Sequence, residues 1–73
     1  MGRIYPISSG IRVARIIRGL SQRELGEEIR ENQGFVSRIE RGVVVRVTED
    51  RAEAIAAALD VPVEELFEPS EDE

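Results

Sequence analysis

Apolar residues recur along the chain at helical spacing, and the segments that carry them are separated by glycine, proline or helix-capping residues. A period of three to four residues is typical of helices that bury one face. The pattern predicts five short helices within residues 9–67 and an all-α fold. It also predicts an N-terminal arm at residues 1–8 and an acidic, disordered tail at residues 68–73.

The first two predicted helices have recognisable ends. Ser8 or Ser9 can cap the first helix, and Gly19 ends it. Ser21 caps the second helix, where Glu24 can complete a capping box by accepting a hydrogen bond from the Ser21 amide. The residues at helical spacing in these two segments are Ile11, Ala14, Arg15, Arg18, Leu25 and Ile29.

The other three helices are marked in the same way. Asn32 caps the third helix and Gly42 ends it, while Thr48 caps the fourth. Pro62 opens a short final helix with the sequence VEELF. The apolar inner faces of the third and fourth helices are predicted to consist of Val36, Ile39, Ala52, Ile55, Ala56 and Leu59.

Composition narrows the possible functions. The 73 residues make one small domain without cysteine or histidine, which removes disulfides, the commonest metal ligands and the commonest general base. The carboxylates fall at capping, surface and tail positions, so we expect no enzyme, no metal and no cofactor. The sequence shows neither a signal peptide nor an apolar run long enough to span a membrane, which favours a cytoplasmic protein.

Charge and side-chain amides are both unevenly distributed. The net charge is -5, although residues 1–46 carry nine arginines and five acids, and residues 47–73 carry one arginine and ten acids. This asymmetry favours a basic working surface, which the acidic tail would screen, while an unevenly charged solvated surface is the simpler alternative. The side-chain amides, which indicate a polar task, are Gln22, Asn32 and Gln33.

Residues 19–42, GLSQRELGEEIRENQGFVSRIERG, resemble the phage repressor and Cro-type helix-turn-helix family, also called the XRE family. The match lies in GLSQ, EL and VSRIERG, at the family's intervals and without insertion or deletion. It continues as far as VPVEELF and covers roughly residues 9–67. The resemblance implies a five-helix, lambda-repressor-like domain whose third helix enters the major groove of DNA.

Two packed helices joined by a short turn leave the outward side of the second helix free to read bases. Gln33 suits adenine, and Arg38 suits guanine or a phosphate. Phe35 either presses on a thymine methyl group or packs against a neighbouring element. The positions expected to read bases, where the resemblance agrees, are Asn32, Gln33, Gly34, Phe35, Ser37 and Arg38.

The resemblance also assigns residues outside the base-reading set. It implies that Gln22 and Gln33 bracket a phosphate and can bond each other. It further implies a partly buried ion pair between Arg15 and Glu40 that orients the third helix. The residues expected to contact phosphates are Ser21, Gln22, Arg41 and Arg46.

The sequence departs from the family pattern at two places. Arg30 stands where the family usually has glycine, so the turn is expected to differ in detail, because a positive φ is unfavourable for other residues. The VVVRV loop after Gly42 is one residue longer than is common. We expect it to pair either with the N-terminal IYPI or with its counterpart in a second copy.

Three functions remain open. The first is a transcriptional repressor that acts as a homodimer on a two-fold operator, and the simplest mechanism is occlusion. The second is an antitoxin that binds a toxin through its acidic tail as well as binding its own operator. The third is a protein-interaction module that keeps the fold without binding DNA.

Overall fold

The computed structural model describes residues 2–70, most of which are helical. Five helices follow one another along this part of the chain, and a short strand lies at each end. The bounds are β1 Arg3–Pro6, α1 Ser8–Arg18, α2 Gln22–Glu28, α3 Gln33–Glu40, α4 Glu49–Leu59, α5 Val63–Leu66 and β2 Phe67–Pro69. The predicted series of five helices is confirmed for these residues.

Side-chain caps set the starts of α2, α3 and α4, as predicted. The Ser21 hydroxyl accepts from the Glu24 amide at 2.9 Å, and the Glu24 carboxylate accepts from the Ser21 amide at 2.8 Å, which completes a capping box. Asn32 and Thr48 accept from the backbone N–H three residues further on, at 2.8 and 3.1 Å. Each cap satisfies a donor that a first helical turn leaves without an intrahelical partner.

The start of α1 differs from the prediction, because neither serine caps it. Ile7 occupies the cap position without a side-chain hydrogen bond, and Ser8 is already helical. The Ile7 amide donates to the Leu66 carbonyl at 2.8 Å, while the Ile7 carbonyl accepts from the Ile11 amide at 3.0 Å. A tertiary bond to α5 therefore fixes this start. The predicted end at Gly19 is confirmed by its left-handed φ of 79°.

β1 and β2 form a two-stranded antiparallel sheet that the all-α prediction did not include. Phe67, predicted as the last residue of the fifth helix, is extended and fully buried at 0% exposure. Because its ring fills the core in this conformation, the residues that follow run alongside β1. The paired residues are Arg3 with Pro69, Tyr5 with Glu68, and Pro6 with Phe67.

The sheet contains residues that were predicted to lie outside the folded domain, in the N-terminal arm and in the disordered tail. Glu68 and Pro69, expected in a disordered tail, belong to β2, and Ser70 is buried. The Ser70 amide donates to the Gly2 carbonyl at 2.8 Å. The rest of the predicted tail, residues 71–73, lies outside the described residues.

The valine-rich segment at 43–47 is irregular. The Val47 amide donates to the Ile4 carbonyl of the N-terminal segment at 3.0 Å. The expected pairing with IYPI does not form a strand ladder. β1 pairs with β2. Val44 and Val47 pack against the core, whereas Val43 and Val45 are 60% and 68% exposed.

All five helices and β2 contribute to one apolar core. The predicted inner faces of α2, α3 and α4 are buried, and Ile11, Leu66 and Phe67 complete the cluster from α1, α5 and β2. Among residues 2–70, no helix has both the length and the apolar character needed to cross a bilayer. The buried inner-face residues of α2, α3 and α4 are Leu25, Ile29, Val36, Ile39, Ala52, Ile55, Ala56 and Leu59.

Gly26 allows the turn after α2 to lie directly against that helix. A Cβ atom at this position would lie 2.9 Å from the Glu31 carbonyl oxygen and 3.1 Å from the Asn32 carbonyl carbon. Both neighbours are backbone atoms, which cannot rotate away as the end of a side chain can. The close approach therefore requires glycine.

Gly26→Ala is expected to lower the free energy of unfolding by roughly 1–3 kcal/mol, because the turn must shift to admit a methyl group. Gly10→Ala is the matched control, since a Cβ there would meet its nearest atoms at 3.6 to 3.9 Å. Urea unfolding followed by circular dichroism measures both variants. Equal losses in the two variants would contradict the close packing at Gly26.

Candidate nucleic-acid interface

α2 and α3 pack through their apolar faces, and the rest of the α3 surface faces solvent. Four residues separate the two helices, a spacing typical of a helix-turn-helix unit. Because their buried side chains pack together, α2 and α3 form one unit. The side chains in this contact, each no more than 3% exposed, are Leu25, Ile29, Val36 and Ile39.

The turn between these helices keeps a left-handed residue although the sequence has no glycine there. Arg30 has a φ of 61°. The Arg30 amide donates to the Glu27 carbonyl at 3.3 Å, and the Glu31 amide donates to the Gly26 carbonyl at 2.7 Å. These bonds hold Arg30 in a conformation that is unfavourable for any residue with a Cβ atom.

Of the six residues predicted to read bases, four are exposed and two are half-buried. The Asn32 side-chain oxygen Oδ1 accepts the cap hydrogen bond from the Phe35 amide, and the side-chain amide still has two N–H donors. Gly34 is exposed and has no side chain, and the position a Cβ would take lies 3.2 Å from Arg38 Nη1 and 3.3 Å from Asn32 Oδ1. The exposed residues are Asn32, Gln33, Gly34 and Arg38, and the half-buried ones are Phe35 and Ser37.

Phe35 lies between the core and α4. Its ring packs against the apolar cluster, and the guanidinium carbon of Arg51 lies 6.0 Å from the ring centroid. This is the packing role that the sequence left open beside contact with a thymine methyl group. Only the exposed part of the ring is available to a partner outside the chain.

The predicted phosphate-contacting residues lie around α3. Ser21, Arg41 and Arg46 are exposed, and Gln22 is half-buried. The Gln22 side-chain amide donates to Glu40 Oε1 at 3.1 Å, instead of bonding Gln33 as the resemblance implied. A carboxylate is a stronger acceptor than an amide, which accounts for this choice.

The segment formed by α3 and the residues up to 46 is basic although the chain is acidic. Between residues 33 and 46 the single carboxylate is Glu40, whose side chain is only 3% exposed. Arg38, Arg41 and Arg46 in the same segment are exposed. This part of the molecule therefore presents positive charge to solvent, as a nucleic-acid interface requires. Within residues 2–70, no group of acidic side chains is arranged to hold a metal ion.

An ion pair between Arg15 and Glu40 joins α1 to α3, as the resemblance implied. Arg15 Nε donates to Glu40 Oε2 at 2.6 Å, and Arg15 Nη2 donates to Glu40 Oε1 at 3.1 Å. Arg15 Nη1 donates to the Leu20 carbonyl at 2.8 Å. The two side chains are 11% and 3% exposed, so the forked pair is largely shielded from water.

The pair also affects the ionisation of Arg15. The hydrogen bond to Glu40 raises the pKa of Arg15 above its ordinary value, and the charge of Glu40 adds to the rise while burial opposes it. A raised pKa means that folding favours the protonated guanidinium. The contribution to stability is therefore complete at neutral pH and is lost only as the pH rises through that pKa.

Arg51 on α4 is a structural contributor that sequence reasoning missed. Its Nη1 donates to the Ile29 carbonyl, and its Nη2 lies 2.8 Å from the Glu31 carboxylate. With the Phe35 ring beneath the guanidinium, one side chain holds the end of α2, the turn and the first turn of α3. The position of Arg51 in the helical pattern did not indicate this role, because its three partners lie about twenty residues earlier in the chain.

Comparison with known proteins gives one family match. The family model described as "Helix-turn-helix" matches residues 11–66. No curated protein matches the chain in sequence.

Solved structures with the same fold include several regulators. The restriction-modification controller protein C.AhdI from Aeromonas hydrophila is 32% identical, with a TM-score of 0.74 over 82% of this chain and 86% of that one. The biofilm regulator SinR, solved in complex with DNA, is 31% identical, with a TM-score of 0.74 over 80% and 92% of the two chains. The regulator ClgR from Corynebacterium glutamicum is 30% identical, with a TM-score of 0.72 over 78% and 60%. These matches confirm the predicted lambda-repressor-like fold.

Arg15→Met is expected to lower the free energy of unfolding by about 3–5 kcal/mol, because it leaves the buried Glu40 carboxylate without its ion-pair partner. The double variant Arg15→Met/Glu40→Leu is expected to recover most of that loss, since no buried charge remains. Urea unfolding of Arg15→Met, Glu40→Leu and the double variant gives the coupling energy. Losses that simply add would contradict the pairing.

Arg51→Met is expected to lower the free energy of unfolding by about 1–3 kcal/mol, because the Ile29 carbonyl loses its donor. Arg23→Met is the matched control, since its ion pair with Glu27 joins side chains that are 78% and 66% exposed. The control is expected to cost less than about 1 kcal/mol. Amide exchange at Glu31 should accelerate in the first variant alone; acceleration in both would argue against a specific clamp.

Proposed function

The chain belongs to the XRE-type helix-turn-helix family, and we therefore propose that it is a sequence-specific regulator of transcription that binds double-stranded DNA. The family and the structural neighbours are transcription regulators, not enzymes. The observation that supports DNA binding most strongly is the exposed surface of α3. With the segment that follows it, this surface combines polar side chains with the exposed Arg38, Arg41 and Arg46, and the carboxylate of Glu40 is buried in an ion pair.

In this proposal, α3 lies in the major groove and its exposed side chains read base edges. Gln33 pairs with an adenine through its amide, and Arg38 pairs with a guanine through two donors. Gly34 brings the backbone close to the bases, while the exposed edge of Phe35 contacts a thymine methyl group. Asn32 and Ser37 contribute further polar contacts at the start and middle of the helix.

Phosphate contacts hold the domain in register on the duplex without reading sequence. We assign these contacts to Ser21 and Gln22 before the turn, and to Arg41 and Arg46 after α3. The assignment is supported by their position at both ends of the α2–α3 unit and by the exposure of Ser21 and both arginines. The Arg15–Glu40 pair serves as the support that orients α3.

We further propose that the protein represses transcription as a homodimer on a two-fold operator. One domain of this size contacts few base pairs, and a second copy doubles the number that are read. Two α3 helices reach successive major-groove faces when the half-sites are about 10 base pairs apart. A protein seated there occludes other proteins from the same DNA.

Selection of bound duplexes from a random pool at near-physiological salt tests the function directly. Enrichment of a two-fold motif with half-sites about 10 base pairs apart is the expected result. Failure of a folded, pure protein to enrich any sequence would reject the proposal. That result would favour an interaction module, or an antitoxin that needs its partner in order to bind DNA.

Gln33→Ala and Arg38→Ala are each expected to reduce discrimination at one operator position by about 1–3 kcal/mol, because a base edge loses its bonding partner. Arg41→Ala is expected instead to weaken binding to all sequences and to reduce the slope of log K against log salt by about 1. Arg3→Ala in β1 is the charge-matched control. Fluorescence anisotropy across a salt series separates the two behaviours, and identical profiles for Arg38→Ala and Arg41→Ala would contradict the assignment.

A further inference from the structure

An apolar surface on α1 is left uncovered by the rest of residues 2–70. Val13, Ile16 and Ile17 are 54%, 57% and 80% exposed. Their spacing of three and four residues makes them neighbours on the helix surface, and we call these three residues the α1 ridge. Single exposed apolar residues are ordinary, whereas a contiguous group marks an interaction surface.

A groove of about 560 Å³ runs beside the α1 ridge. One wall is α1 itself, and the other is formed by the end of α4 and by α5. Val13 and Ile17 belong to both features, because these ridge residues also line the groove. The apolar lining consists of Gly10, Val13, Ala14, Ile17, Leu59, Val61 and Leu66.

A projection and a recess on the same face suit a second copy of this chain. A two-fold interface joins a surface to itself, so the surface must contain both shapes. When two α1 helices lie side by side in antiparallel directions, the ridge of each copy enters the groove of the other. This is the ordinary way in which helices pack ridges into grooves.

Charges at the two ends of the groove fit the same arrangement. Glu65 lies near the N-terminal end of α1, where its carbonyl oxygen is 3.8 Å from a Cβ position built on Gly10. Arg18 lies about 12 Å further along α1, donates to the Ala58 carbonyl at 3.2 Å and has Asp60 beside it in the groove lining. Antiparallel pairing brings Arg18 of each copy to Glu65 of the other.

We propose that two copies of the chain associate through this face, with each α1 ridge in the other copy's groove and Arg18–Glu65 ion pairs at both ends. This contact is additional to whichever surface brings two copies to one operator. It occupies none of the residues assigned to DNA.

The proposed interface faces away from α3. Arg15, which bonds Glu40 of α3, is two positions from both Val13 and Ile17, or about 160° around the helix axis. Both α3 helices therefore stay uncovered, and an associated pair can hold two DNA sites at once. This consequence rests on the proposed function, whereas the association itself does not.

Charge reversal gives a specific test. Arg18→Glu and Glu65→Arg are each expected to weaken self-association by at least about tenfold, because like charges then meet at both ends. An equal mixture of the two variants is expected to associate as strongly as the unaltered protein, because every facing pair is again opposite in charge. Sedimentation equilibrium without DNA measures all four samples. A mixture that stays as weakly associated as its components would overturn the proposal.

Ile17→Glu tests the ridge, and Ala57→Glu, at an exposed apolar residue of α4 outside the groove lining, is the control. Ile17→Glu is expected to lower the average mass of the protein in sedimentation equilibrium, and the control is expected to leave it unchanged. Both variants are expected to unfold cooperatively on heating, as folded proteins do. An unchanged mass for Ile17→Glu would overturn the proposed interface.

A capture assay separates this inference from the proposed function. Beads that carry one duplex should retain a second, labelled duplex through the unaltered protein but not through Ile17→Glu, although both proteins bind a single duplex. Retention of the second duplex by Ile17→Glu would overturn the interface. If the mass changes occur but no protein binds DNA, the interface stands and the proposed function fails.

Discussion

The orientation of α3 depends on one buried ion pair. Arg15 extends from α1 to Glu40 at the end of α3, Arg15 also donates to the Leu20 carbonyl, and Glu40 also accepts from the Gln22 side-chain amide. Side chains of α1 and α2 therefore meet at one carboxylate of α3. Because a forked arginine–carboxylate pair tolerates little change in angle, it fixes direction in a way that apolar packing alone does not.

The same pair explains how an acidic protein presents a basic segment in and after α3. The net charge of -5 describes the whole chain, but a partner meets only the charges that are exposed near its binding surface. Burial of Glu40 removes the one carboxylate of residues 33–46 from that surface, while Arg38, Arg41 and Arg46 remain on it. A structural contact thus also determines the local electrostatics.

Helix ends and inner faces could be predicted from sequence because local chemistry specifies them. Ser21, Asn32 and Thr48 each bond a backbone group three residues away, within the reach of a short pattern. The Arg51 clamp and the extended Phe67 depend on partners far away in the chain, and a helical period carries no information about such partners. The predicted base-reading and phosphate-contacting residues rest on the resemblance, and their roles stay predictions.

The pairing of β1 with β2 has a consequence for how the chain reaches its native state. The two strands are separated by almost the whole domain, so this contact closes a far longer loop than the caps or the α2–α3 turn. Such a contact costs more loop-closure entropy than a local one, and contacts of high sequence separation slow folding. During synthesis, β1 must wait without its partner until Pro69 has left the ribosome. Helices α1 to α4 can form in the meantime, but the core is complete only once Leu66 and Phe67 have been made, so the last part of the chain closes the core and the sheet together.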